Sequence, residues 1–179
     1  MSIFFSLVPW IIFWVFLTLR MIEAAALGGF AFALIVIFFD VWKKRSMKVL
    51  QLGTVVFFLV IAIAAYVVDL DLLGRWVNSS GSIALALIVL ISIVIKKPFT
   101  LQYAKESTPE EYWESPTFIH VNYVISWAWC LMMSINAILS VLFTTVMPVD
   151  TWINWVVSLS CFGAAMAFTE IYRNYLKKK

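Results

Sequence analysis

The sequence predicts an all-α integral membrane protein of about six transmembrane helices, arranged as three hairpins with a short cytoplasmic interfacial helix. Three observations carry that prediction. Hydrophobic residues make up 64% of the 179 residues and charged residues 13%, with a mean hydropathy of +0.98. A soluble domain is nearer to roughly half apolar and a quarter charged, so this much apolar surface in so small a chain calls for lipid as its solvent. The apolar residues are gathered into six long blocks. The cations fall almost wholly on one set of the connections between those blocks.

The helices are expected at about 2–19, 24–42, 49–68, 76–95, 116–147 and 152–172, forming one transmembrane domain over 1–179 with a cytoplasmic loop at 96–115. A spanning helix needs roughly 20 mostly apolar residues. The long runs of Ile, Val, Leu and Phe do not alternate as barrel strands would, and a helix satisfies its own backbone in hydrocarbon. The first block is uncharged. The turn after it, Arg20 to Glu23, is so short that a tight hairpin fits as well as two full crossings. Ala24-Ala25-Ala26 resembles a signal-peptide cleavage site. The start lacks Lys and Arg, however, and the apolar run exceeds a usual signal core, so the block is read as a retained helix.

Eleven of the thirteen cations follow the second, fourth and sixth blocks: Lys43, Lys44, Arg45 and Lys48, then Lys96, Lys97 and Lys105, then Arg173 and Lys177 to Lys179. Arg20 and Arg75 lie on the other side with Glu23, Asp69, Asp71 and Asp150. The positive-inside rule then places both termini in the cytoplasm. A basic cluster closing every pair of blocks reads as a weak repeat of three hairpins, or simply as what this topology demands.

The interval from Lys96 to His120 is the one long hydrophilic stretch. Thr108-Pro109-Glu110-Glu111 carries a capping-box signature, predicting a short helix from Pro109 to about Glu114. Tyr112 and Trp113 would rest it at headgroup level. A connector setting the angle between hairpins is the plainer account of the interval. A partner-docking surface built on Lys96, Lys97, Tyr112 and Trp113 is the functional one.

Within the fifth block, Ser126, Cys130 and Ser134 recur every four residues, flanked by Asn122 and Asn136. Ser160 with Ala164 and Gly163 with Ala167 offer small stripes in the sixth. Small residues let helices approach closely in lipid, so packing of the fifth block on the sixth is favoured over a ligand site. Asn136 suggests an interhelical hydrogen bond, typically under about 1–2 kcal/mol. Asp40 has Lys43 and Lys44 three and four residues on, and Glu170 has Arg173 three on, so local ion pairs are expected. Trp10, Trp42, Trp76, Trp113 and Trp152 sit near block ends and suit aromatic belts, while Trp127 and Trp129 lie deeper. Cys130 and Cys161 read as buried, inert thiols. Cations at block ends are not a nucleic-acid patch. No catalytic, cofactor or metal motif is present, and a single His removes most histidine-based schemes.

Several short motifs occur in a telling order. They are Leu7-Val8-Pro9, the basic turn after the second block, Lys96-Lys97-Pro98, Asn122 with Trp127-Ala128-Trp129, Asn136, Met147-Pro148, Trp152, Asn154 and Phe162-Gly163 before a Tyr-and-basic tail. In this the chain resembles the bacterial intracellular septation protein A family of inner-membrane proteins. Its segment from Phe99 to Trp113 is longer and more acidic than the family pattern, as in a divergent branch. The resemblance implies a non-enzymatic role in envelope integrity or division, exerted through other inner-membrane or division proteins, and no catalytic residues. Two other expectations stand beside it. One is a small transporter or lipid-handling protein with a path lined by Asn122, Ser126 and Asn136. The other is an accessory subunit of a larger complex. An oligomer is compatible with all three.

Overall fold

A computed structural model describes residues 3–147 and 151–177. Ser2, Pro148, Asp150, Lys178 and Lys179, which enter the sequence reading, lie outside the described residues. The elements are α1 (Ile3–Thr18), α2 (Ile22–Trp42), α3 (Val49–Val67), α4 (Leu70–Val94), α5 (Phe99–Ala104), α6 (Pro116–Thr145) and α7 (Thr151–Lys177), with no strand among the described residues. Among the described residues, five helices are long and apolar enough to cross a membrane: α2, α3, α4, α6 and the Trp152–Leu176 part of α7. Helix α1 is apolar but has 16 residues. At 1.5 Å per residue that is about 24 Å, short of the roughly 30 Å hydrocarbon core. Large apolar side chains such as Phe38, Val56, Ile63, Val94, Leu131 and Leu159 stand exposed around the bundle. Such a surface belongs against lipid.

Short connections make sequential helices neighbours. Helix α1 packs on α2, α2 on α3, α3 on α4 and α6 on α7, while the most extensive contact is the non-sequential one between α4 and α6. Two glycines set the closest approaches. A Cβ at Gly29 of α2 would come within 2.6 Å of the Phe58 ring, and one at Gly53 of α3 within 2.5 Å of Ile88. The core between α1 and α3 is aromatic: Trp10 stacks on Phe57 at 4.9 Å, and Phe13 meets Phe58 edge-on at 5.2 Å. Trp10, expected in an aromatic belt, is instead fully buried and donates its indole N–H to Thr54 at 3.0 Å. Trp10 faces Thr54 and Phe57 of α3, and burial of so large a ring outweighs its interfacial preference.

Helices α1, α2 and α4 end the same way. Arg20, Lys44 and Lys96 take positive φ values of 58°, 54° and 59°. The N–H of the following residue reaches back to close the turn: Met21 to Phe16, Arg45 to Asp40 and Lys97 to Ser92, at 2.9–3.0 Å. This is the Schellman closure, normally served by glycine. A side chain there costs about 1–2 kcal/mol, offset in part by the attraction of a cation to a helix C-terminus.

Two expectations are corrected. Helix α4 starts at Leu70, not near Trp76, because Asp69 caps it, its carboxylate accepting the N–H groups of Asp71 and Leu72 at 3.0 Å. The helix predicted over Pro109–Glu114 is a single 3-10 turn over Glu110–Tyr112 with no side-chain cap from Thr108. The Trp113 indole donates to the Thr108 carbonyl at 2.9 Å, and the Pro109 carbonyl takes the Tyr112 N–H at 3.1 Å. With α6 restarting at Pro116, that tight closure leaves no room for a full helix. The ordered helix of the interval is α5, followed by a 3-10 turn over Lys105–Ser107. Its Phe99 and Tyr103, four residues apart, form a buried face.

Candidate functional site

The end of the bundle that carries α5 also carries the turn between α2 and α3. There the Schellman closure at Lys44 folds residues 45–48 back beneath α2. Lys48 thereby meets Asp40, eight residues earlier. Lys48 Nζ donates to Asp40 Oδ2 at 2.7 Å and pairs with Glu106 Oε1 at 2.7 Å. Gln51 Nε2 donates to the same Asp40 oxygen at 2.6 Å and approaches Ser6 Oγ at 3.5 Å. The Arg45 guanidinium lies 3.8 Å from Asp40 and 3.6 Å from Glu106. Asp40 is fully buried, and the Lys48 side chain is 1% exposed. Two carboxylates thus face two cations. Burying such charges is expensive unless they are paired this closely.

The cluster fastens α5 to the bundle. The Tyr103 ring lies 5.2 Å beneath the Lys48 ammonium, a favourable cation–π placement. Gln102 accepts the Val49 N–H at 2.9 Å and donates to the Lys97 carbonyl at 2.6 Å. Ser92 accepts the Phe99 N–H at 3.1 Å, and Thr100 shares a 2.6 Å hydrogen bond with Ser126 of α6. Two buried atoms, Asp40 Oδ1 and Tyr103 Oη, lack a hydrogen bond of good geometry among the described residues, Ser6 being close to the latter. Burial pushes the Tyr103 hydroxyl well above the ordinary phenol range; nearby Ser6 opposes this, and the Asp40 and Glu106 carboxylates add to it.

The expected Asp40–Lys44 pair is not formed. Helix α2 ends at Trp42, and the left-handed turn at Lys44 destroys the i, i+4 geometry that would have joined them. Glu170 and Arg173 are both exposed on α7, and no ion pair within 4 Å joins them among the described residues. An exposed pair of this kind gains too little to hold two long side chains together. Lys96, Lys97 and Trp113 do come together, lining a cleft of about 660 Å³ beside the ion cluster, where the Lys105 ammonium sits 5.0 Å over the Trp113 ring. Tyr112 is 53% exposed and does not line that cleft.

The polar residues of α6 are satisfied within the bundle. Asn122 donates to its own helix at the Phe118 carbonyl, 2.8 Å away. Cys130 is buried and Ser134 half-buried. Asn136, 1% exposed, donates to Ser82 of α4 at 3.2 Å and accepts from Ser158 of α7 at 3.0 Å. Ser79 of α4 bonds the Ser140 carbonyl at 2.9 Å and Thr144 at 2.7 Å. This α4–α6 seam was missed in the sequence, although Ser79-Ser80-Gly81-Ser82 signals it. The α7 stripe was read one face off. Ser160, Ala164 and Ala167 are exposed and a Cβ at Gly163 would meet nothing within 4 Å, whereas Asn154, Ser158, Cys161 and Ala165 are buried. Trp127 faces outward at 52% exposure, and Trp129 is buried with its N–H on Thr169.

The opposite end holds a second cavity, of about 920 Å³, that the sequence did not suggest. Arg20, Glu23, Asp71, Arg75 and Asn154 line it, whereas Asn122, Ser126 and Asn136 do not. Asn154 Oδ1 is buried there without a partner. Among the described residues, no three His, Cys, Asp or Glu side chains are placed to share a metal ion. Comparison with protein-family models, with curated proteins and with solved structures finds no match.

Proposed function

We propose that this chain is a non-enzymatic protein of the bacterial inner membrane, supporting envelope integrity or division by presenting a rigid cytoplasmic platform to partners. In this reading it crosses the bilayer six times, α1 included, with both ends in the cytoplasm. The distribution of eleven cations against two supports that orientation. The envelope role follows the motif order set out above. The observation that carries the proposal is the buried cluster of Asp40, Lys48 and Glu106, which pins residues 96–113 to the bundle. A mere connector needs no such lock. A surface that must keep one shape for a partner does, because preorganisation reduces what binding must spend on ordering.

Gene deletion and complementation test it. Loss of the chain should produce elongated or detergent-sensitive cells. Wild type should restore them, and Lys48→Met at equal membrane levels should not. A photo-cross-linker at position 112 should trap a discrete protein in wild type and lose it in Lys48→Met. A deletion with normal envelope and division, or full rescue by the unlocked variant, would count against the proposal.

The cavity at the other end favours a second reading, a small carrier or lipid-handling protein. Asn154 would supply its unused acceptor to a polar ligand. The route is then not the one drawn through Asn136, whose polar atoms are already bonded. An Asn154→Cys variant labelled by an impermeant maleimide from both sides of the membrane would support a carrier; labelling from one side under all conditions returns the reading to a platform.

A further inference from the structure

The cleft beside the ion cluster has a charge imbalance that pinning the platform to the bundle does not require. Lys44, Arg45, Lys96, Lys97 and Lys105 line it against one carboxylate, Glu106. That carboxylate is already held by Lys48 at 2.7 Å and by Arg45 at 3.6 Å. Lys44, Lys96 and Lys97 make no ion pair among the described residues. Like charges gathered in one concavity repel and focus a positive potential into it. Two of these lysines, Lys44 and Lys96, also hold backbone conformations suited to glycine.

The walls of the same cleft are partly apolar, with Met47 and Leu101 among them. Near the cleft-lining Lys44 and Lys96 in the chain, Trp42 at the end of α2 and Ile95 just after α4 are 70% and 48% exposed. A ligand that satisfies both features is anionic at one end and apolar at the other. We infer that this cleft binds the phosphate headgroup of an anionic phospholipid, its acyl chains lying over Trp42 and Ile95. The lysines supply point charges that pair with phosphate oxygens, and the indole of Trp113, which lines the same cleft, is a ring type that favours the headgroup layer. This goes beyond the platform proposal and does not depend on any role in division.

The test uses the full-length chain in detergent, titrated by native mass spectrometry with dioleoylphosphatidylglycerol and with dioleoylphosphatidylcholine. Wild type should prefer the anionic lipid by at least about tenfold, since each lysine near an anionic headgroup contributes roughly fivefold. Lys96→Gln/Lys97→Gln/Lys105→Gln should cut that preference by at least about tenfold, Lys44 and Arg45 remaining in the cleft. Lys96→Arg/Lys97→Arg/Lys105→Arg should keep it, which separates lost charge from lost fold. Arg20→Gln/Arg75→Gln, at the opposite end, should leave it unchanged. No preference in wild type would overturn the inference, as would equal losses in the cleft and opposite-end variants. So would thermal protection by inorganic phosphate alone equal to that by the anionic lipid, because the occupant would then be a soluble anion.

Discussion

Replacing Lys48 with Met removes the cation that joins Asp40 and Glu106 while keeping an apolar stem of similar length. In the wild type its ammonium lies 2.7 Å from each carboxylate, and Asp40 is fully buried. After the change, the Arg45 guanidinium is the cation left near both, at 3.8 Å and 3.6 Å. Removing one partner of a buried pair costs about 3–5 kcal/mol. At about 2–4 °C per kcal/mol for a chain of this size, the melting midpoint should fall by about 6–20 °C. An exposed pair would give at most about 1 kcal/mol, so the two cases are well separated. The assay is thermal unfolding followed by circular dichroism in one detergent, with limited trypsin digestion at Lys96, Lys97 and Lys105 as a local readout. Asp40→Asn/Lys48→Met should recover most of the loss, because a neutral pair leaves no uncompensated charge at Asp40. A Lys48→Met midpoint within about 2 °C of wild type would refute the reasoning. A double variant as unstable as the sum of the two singles would do the same.

Tyr103→Phe removes a buried hydroxyl whose one close polar neighbour among the described residues is Ser6, outside full hydrogen-bond geometry, so at pH 7 the melting midpoint should shift by less than a change of about 1 kcal/mol would move it. The folded hydroxyl titrates above its unfolded value of about 10. Its contribution is therefore fully present below about pH 10 and is lost as pH rises toward the folded value. Wild type should consequently lose about 1 kcal/mol more than Tyr103→Phe between pH 9 and 11; parallel curves would show the hydroxyl to be solvated. Gly53→Ala would bring a Cβ within 2.5 Å of Ile88, itself buried, and should cost about 1–3 kcal/mol. Gly163→Ala meets nothing within 4 Å and should be neutral or stabilising by about 0.5–1 kcal/mol. Reversal of that order in denaturation midpoints would mean α3 and α4 are not packed as described.

The structure departs from the sequence pattern for one physical reason: non-local contacts decide what local spacing leaves open. Helix existence was legible because apolar run length is a property of one segment. Starts and stops were misplaced where a side chain decided them, as Asp69 does for α4. Spacing along the helix points Asp40 to Lys43 and Lys44, one turn on, and neither pairs with it among the described residues. The partner is Lys48 across a tight turn, with Glu106 from far along the chain. The α7 stripe was assigned to the wrong face because small residues occur on both faces, and spacing alone does not say which one meets α6.

Composition, block length and the placement of charges are additive along the chain, and they determined by themselves an all-helical protein built for lipid. They also placed Lys96, Lys97 and Trp113 in one hydrophilic interval. Tertiary structure alone decided that α5, not the stretch after Thr108, is the ordered helix of the interval. It also decided that Trp10 is core, that Asn136 is spent between α4 and α7, and that five cations surround one cleft. Those outcomes depend on which surfaces meet across dozens of residues. Burying a charge or a polar group is tolerable only where distant partners arrive to satisfy it, and no local pattern encodes that arrival.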